Sequence, residues 1–348
     1  MAYSNITDPS AYFQTLLWTG NDVDGRALTN DGNSNLKPDL VWLKNRNVGY
    51  NHFLIDSSRG VTKYMSTNTD TADTTWADLV ESFDTNGFTV GDDGSQVPNH
   101  TGNTFVGWQW KSGGGTTASN TDGDITSTVQ VNHDAGFSIV TYTGNTSNNQ
   151  TVGHGLGAKP GIILIRNRTR AESWRLNHHA VNNGTGMIIL NSTAVYNTTG
   201  TTLMNSAATS SVFSVSTDYS VNGNYPFVAW CWAEKQGYSK FGTYTGAGSG
   251  SPFVYTGFKP AFILIRRIDA TNSWGIVDNK RGYNGGTETL FADLSNAESS
   301  TYTLDLLSNG FRPASNHSIF NQNSGSYIYM AFAESPFVTS TGIPTTAR

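Results

Sequence analysis

Charge is scarce in this chain of 348 residues: Asp, Glu, Lys and Arg make up 14% of it, against roughly a quarter of an average soluble domain. A single cysteine, Cys231, excludes an internal disulfide framework and a cysteine-based zinc site. No apolar run approaches the roughly 18 residues of a membrane helix. The opening MAYSNITDPS has neither a basic start nor an apolar stretch, so neither membrane insertion nor Sec export is expected. The net charge of −5 and a pI near 5.8 speak against a general nucleic-acid binder. There is no GxSxG, no HExxH and no Cys–His pairing of recognised form, so no catalytic, cofactor or metal residue is assigned.

What is present points to strands. Aromatic residues are 12% of the chain and glycines number 37, while Asn, Thr and Ser fill the places Lys and Glu usually take. Gly, Asn, Thr and Ser are poor helix-interior residues, whereas Trp, Tyr, Phe and Thr suit a pleated surface. The aromatic and β-branched content is enough to bury a core, which argues against disorder. An all-β fold is expected, with few short helices. Thr71–Phe83 and Leu294–Leu307 are the helix candidates.

The chain repeats itself. LKPDLVWLKNR begins at Leu36, AKPGIILIRNR at Ala158 and FKPAFILIRRI at Phe258. Their lysines, Lys37, Lys159 and Lys259, lie 122 and 100 residues apart. Trp110, Trp232 and Phe332, at the ends of TFVGWQWK, PFVAWCWAE and SYIYMAFAE, keep the same two offsets. Asp56 corresponds to Asp278, and the middle copy has His178 there. LLWTGN, VTYTGN and GTYTGA open the copies. A fixed period of this kind signals repeated structural units. About 100 residues per unit, with turn clusters at short intervals, suggests three tandem β-sandwich-like repeats: 1–111, 136–234 and 235–338. Residues 112–135 read as a Gly/Ser/Thr linker with a capping strand over DITSTVQV, and 339–348 as an extended C-terminal arm. GIILIRNR reads as a central strand buried on both faces.

Motifs with chemical meaning are thin. GHGLGAKP (Gly153–Pro160) lacks the spacing of a phosphate loop and reads as a turn feeding a buried strand. His178 and His179 are adjacent, so on a strand they point to opposite faces, and a polar surface pair is the plain expectation. Asp22-x-Asp24, Asp122-x-Asp124 and Asp92-Asp93 offer oxygen ligands for Ca²⁺, though none continues into an EF-hand loop and Asx turns account for them. The acidic residues that recur, Asp56 with Asp278 and Glu234 with Glu334, are more economically fold elements than catalysts. Lys44 and Arg46, Arg166, Arg168 and Arg170, and Arg266-Arg267 end the apolar strands. They read either as charged strand ends that discourage aggregation or as a surface for an anionic partner. The ladder Trp108/Trp110, Trp230/Trp232 and Met330/Phe332 reads as core, with sugar stacking as the alternative.

The blocks KPDLVWLKNR, SNTDGDITSTV with GFSIVTYTGN and VGHGLGAKP, PFVYTGFKPAFILIRR, VDNKRG and YIYMAFAESPFV resemble a repeated domain of structural virion proteins from tailed bacteriophages, marine ones in particular. The resemblance runs from about Tyr12 to Val338. It implies a non-enzymatic tail or tail-fibre component that acts in assembly and host attachment and resides in the virion. Its implied partners are other virion proteins, further copies of itself and a host surface glycan. A head-decoration protein, a lectin-like adhesin and a depolymerase tailspike are the other classes in view. The resemblance carries no ligand or site residues.

Overall fold

A computed structural model describes residues 4–345 except 93, 95–97, 197–202, 283, 285–287 and 340. The first repeat supplies β1 (Phe13–Thr19), β2 (Arg26–Thr29), β3 (Leu40–Asn45), β4 (Phe53–Asp56), β5 (Lys63–Met65), β6 (Thr74–Thr75), β7 (Ser82–Asp84), β8 (Gly87–Val90) and β9 (Thr104–Trp110). The connecting segment gives β10 (Ala118–Asn120) and β11 (Ser127–Asn132). The second repeat supplies β12 (Phe137–Thr143), β13 (Gln150–Gly153), β14 (Ile162–Asn167), β15 (Arg175–His178), β16 (Met187–Ile189), β17 (Val212–Val215) and β18 (Pro226–Trp232). The third supplies β19 (Ser239–Thr245), β20 (Val254–Tyr255), β21 (Phe258–Arg267), β22 (Gly275–Asp278), β23 (Leu290–Phe291), β24 (Leu304–Leu307), β25 (Gly310–Pro313) and β26 (Ser326–Pro336).

Each repeat builds one large antiparallel sheet and one small one. The large sheets run β1-β9-β3-β4-β5-β6, β10-β11-β12-β18-β14-β15-β16 and β19-β26-β21-β22-β23. The small sheets are β2-β8-β7, β13-β17 and β20-β25-β24. The strand after each Lys-Pro lies between two partners and is buried on both faces, as its continuous apolar run predicts. Alternation then divides its side chains. Val41 and Leu43 face an outer core with Leu28, Phe88 and Val90 of their own small sheet, and the other two repeats do the same.

Leu40 and Trp42 face the other way, into a core shared by all three repeats. Leu40, Ile162 and Phe262 meet there, as do Trp110, Trp232 and Phe332. Ring contacts cross between repeats: Phe13–Phe332 at 5.4 Å, Trp108–Phe262 at 5.6 Å and Trp110–Trp232 at 6.2 Å between centroids. The residues around the centre leave a cavity of only about 20 Å³, walled by apolar side chains from each repeat. The repeats therefore form a closed ring around an apolar centre, with each large sheet turning one face inward.

The TG of the opening motif has a steric cause. A Cβ on Gly20, Gly144 or Gly246 would lie 2.1–2.2 Å from a backbone oxygen of the loop that precedes the last long strand, at His100, Gly223 and Gln322 respectively.

Two expectations fail. The helix candidates are not helices: Thr71–Phe83 contains β6 and part of β7, and Leu294–Leu307 ends in β24. Leu304 and Leu306 are both buried in β24, which pairs with β25 over Leu304–Leu307, and that pairing outweighed local propensity. One α-helical turn, Tyr219–Asn222, capped by Asp218, and two short 3₁₀ turns are the helical elements among the described residues. The C-terminal segment does not extend away. Thr339 N–H donates to Ile343 C=O and Thr345 N–H to Phe337 C=O, so the chain doubles back on itself. The segment after the first repeat is anchored from its start, where the Asp39 carboxylate accepts the N–H groups of Ser112 and Gly114, at 2.7 and 2.9 Å. Its later part pairs along the edge of the second repeat's sheet as β11.

Candidate functional site

The residues with chemical potential gather at the three seams of the ring. Lys44, Arg166 and Arg266 occupy one position in the three repeats, facing inward after the apolar run, and all are fully buried. Each reaches carbonyls of a neighbour. Lys44 Nζ donates to Ser295 O at 2.9 Å, in the third repeat. Arg166 Nη2 donates to Asp70 O and Thr71 O, in the first. Arg266 Nη2 donates to Ala194 O at 2.6 Å, in the second. The direction is cyclic, one to three, three to two and two to one, as in a head-to-tail ring of subunits. Burial lowers the Arg166 and Arg266 pKa values to about 10 and, helped by Arg281, that of Lys44 to about 7.

A second position obeys the same rule. Trp174 Nε1 donates to Ser66 O at 3.0 Å in the first repeat, and Trp274 Nε1 to Ile189 O at 3.0 Å in the second. The first repeat has His52 in that place. Its Nδ1 accepts from Trp42 Nε1, which leaves Nε2–H to donate to Phe291 O at 2.9 Å in the third. Burial and the nearby Lys44 push the His52 pKa well below its ordinary value, so it acts as a neutral donor.

The recurring carboxylates complete two of the seams. Arg59 pairs with Asp56 at 2.6 Å and Asp73 at 2.7 Å, and Asp73 also binds Arg168 of the second repeat at 3.1 Å. Arg281 pairs with Asp278 at 2.6 Å, while Glu298 binds Arg46 of the first repeat at 2.8 Å and lies 3.5 Å from Arg281. Arg59 stacks on Trp230, and Arg281 on Trp108. The seam between the second and third repeats replaces the set together: His178 and Val181 stand for Asp and Arg, Met330 for Trp, Tyr196 for the bridging carboxylate and Ile268 for its outer arginine. The backbone contact survives, with Tyr196 N–H on Ile268 O, as Asp73 N–H lies on Arg168 O and Glu298 N–H on Arg46 O.

These contacts correct two readings. The strand-end cations are not an open basic face: three are buried, Arg46 and Arg168 are held by seam carboxylates, Arg267 pairs with Asp269, and Arg170 packs on Tyr219 and Tyr225 beside Glu172. His178 and His179 are not a surface pair. His178 is fully buried, with Nε2 3.3 Å from Tyr329 O, and His179 Nε2 donates to Phe241 O at 2.8 Å. The aromatic ladder is entirely core. The acidic residues tie separate loops rather than closing local Asx turns: Asp22 accepts from Thr101 N–H, and Asp124 from the N–H and hydroxyl of Thr151. Asp93 lies outside the described residues. No group of three or more metal-ligating side chains is found among the described residues. Gly153–Pro160 forms a turn in which His154 Nδ1 accepts Leu156 N–H. Cys231 is buried, and burial raises its thiol pKa.

Two concavities stand out among the described residues. One, about 520 Å³, runs past Glu234, Lys240, Tyr255, Gly257 and Phe337. At its rim Tyr255 is 61% exposed. The Tyr255 ring lies over Gly257, where a Cβ would stand 3.4 Å from the hydroxyl. The other, about 190 Å³, opens at the seam between the third and first repeats. Neither was legible in the sequence, because both arise where separate repeats or loops meet. No helix among the described residues is long and apolar enough to cross a membrane.

The family described as a domain of unknown function (DUF7483) matches residues 8–336, and the chain belongs to that family. No curated protein and no solved structure matches the chain.

Proposed function

We propose that this DUF7483 protein is a non-enzymatic structural component of a tailed-phage virion, placed on the tail or a tail fibre, where it serves assembly and host attachment. The reading rests on the resemblance of its repeated blocks to such virion proteins. The single structural observation that supports it is the interlocked ring. Three repeats share one core, and every seam is tied by buried donors, which suits a rigid body that must survive outside a cell. Multiple copies on a particle would turn weak single contacts into useful avidity.

The test is the copy number of the chain per purified virion, measured by quantitative mass spectrometry against the major capsid protein. A handful to a few tens of copies fits the tail. Hundreds would move it to the head lattice as a decoration protein, and absence from the particle would end the structural reading.

The groove beside Tyr255 favours one second reading, a lectin-like adhesin. An exposed aromatic ring, Tyr255, at the rim of a cleft that holds the Lys240–Glu234 ion pair is suited to stacking on a sugar face while polar groups bind its hydroxyls. A glycan array with the intact protein and a Tyr255→Ala variant separates the readings. Binding lost in the variant supports the lectin, and no binding by either supports the scaffold.

A further inference from the structure

Strands β1, β12 and β19 hold the same place in their repeats, each pairing on one side with the last long strand. The opposite edge of each looks into a seam. In β1 the even-numbered residues serve β9, since Lys111 N–H donates to Tyr12 O and Gly20 N–H to Asn103 O. The backbone groups of Phe13, Thr15 and Leu17 therefore point outward. Thr15, Ile139 and Phe241 are equivalent positions.

The three edges are treated differently. The β12 edge is paired by the chain's own β11, with Gln130 opposite Ile139. Gln130 is fully buried, and its amide donates to Ser57 Oγ of the first repeat at 2.8 Å. The β19 edge is blocked by side chains: Glu234 accepts Phe241 N–H at 2.8 Å, and His179 donates to Phe241 O at 2.8 Å. The β1 edge has neither. Asn279 stands where the others have Ser57 and His179, and its buried Oδ1 has no partner. Glu334 stands where Glu234 does, but pairs with Lys259 at 2.8 Å. Thr15, 4% exposed, has an unpartnered buried hydroxyl. The cavity of about 190 Å³ lies here, lined by Phe13, Thr15, Asn279, Lys280 and Glu334. It occupies the place that β11 fills at the seam between the first and second repeats.

We propose that the β1 edge is a strand-acceptor site. It takes an extended polypeptide segment of another protein, antiparallel to β1, in the position β11 holds beside β12. The segment carries an amide or hydroxyl side chain facing Asn279. Open edges accept strands through main-chain hydrogen bonds, with side-chain pockets setting the choice, and proteins ordinarily cover or charge such edges. The inference does not depend on the virion reading.

The test is amide hydrogen exchange of the full chain with a synthetic peptide of residues 124–132, DITSTVQVN, which contains β11. At about 2 mM peptide, exchange at Thr15 and Leu17 should slow by about tenfold or more, while Phe241 is unchanged. A peptide N-methylated at its glutamine should give no protection. Asn279→His, which copies the closed seam, should abolish protection without disturbing β1, and Thr15→Pro should weaken it. Unchanged exchange at that concentration, equal protection by the methylated peptide, or protection retained in Asn279→His would each overturn the proposal.

Discussion

Trp108 donates its indole N–H to Asp278 Oδ2 at 2.9 Å across 170 residues of chain, and the guanidinium that pairs with that carboxylate lies 5.5 Å from the centre of the same indole ring. Where the aspartate and arginine are replaced by His178 and Val181, the tryptophan is replaced by Met330. The seams thus come in two matched sets, one charged and one largely apolar.

Matched sets predict strong coupling. Arg281→Val alone leaves the Asp278 carboxylate buried without its guanidinium and should cost about 3–5 kcal/mol. Adding Asp278→His and Trp108→Met copies the other seam and should recover most of that loss. Urea denaturation of the single, double and triple variants measures it. Simple additivity of the three losses would show that the sets are not coupled.

Lys44 gives the protein an alkaline signature. Its folded pKa of about 7 lies below the 10.5 of a free lysine, so between those values the unfolded chain binds the extra proton. Its contribution to stability therefore rises with pH across that window, by at most about 1.4 kcal/mol per unit. Lys44→Met should remove the rise. The comparison belongs at pH 7.5–9.5, because the buried tyrosines Tyr142, Tyr238 and Tyr244, whose folded pKa values are raised, act in the opposite sense above about 10. Identical slopes for the two proteins would refute a buried, tuned amine.

Acid should act through histidine. Burial lowers His154 to about 4 and His178 to about 3. In the window from about 6.5 down to those values the unfolded chain gains protons first, so stability falls as pH falls. His154→Asn should flatten part of that loss in a thermal-melt series from pH 7 to 4. An unaltered pH profile would place the acid sensitivity elsewhere.

Cys231 should be silent in the folded protein. With its thiol buried and its pKa raised, labelling by a thiol reagent at pH 8 should follow global unfolding, with native and denaturant-treated samples differing by orders of magnitude. Rapid labelling of the native chain would mean that the second repeat opens locally.

Gly144→Ala tests the steric reading of the TG motif. Its Cβ would lie 2.2 Å from Gly223 O, an overlap that backbone shifts must relieve at a cost of about 1–3 kcal/mol. A thermal midpoint unchanged from the parent would show that the loop yields freely.

The strands and the repeat were legible in the sequence because local pattern carries them. The Lys-Pro blocks mark each central strand, and Trp110, Trp232 and Phe332 mark each last one. The ring was not legible, because its seams join residues such as Lys44 and Ser295 that no spacing relates. The same gap explains the strand-end cations. A basic residue after an apolar run ordinarily marks a solvated end, and only the neighbouring repeat's carbonyls make it an interior group. His178 and His179 misled for the same reason: their partners, Tyr329 and Phe241, belong to another repeat. The open edge of β1 is defined by comparison with its two equivalents, and that comparison needs the register of all three sheets.

The cyclic order of the buried donors also constrains how genes of this kind can grow. A linear array of repeats gains or loses a unit at small cost, because each unit leans only on its neighbours. Here every unit receives one neighbour's cation and hands its own to the other, and the last returns to the first. Deleting one repeat leaves one buried cation without its acceptors and another repeat's carbonyls without their donor, and inserting one breaks the return contact. Duplications that persist should therefore arrive in complete sets of three.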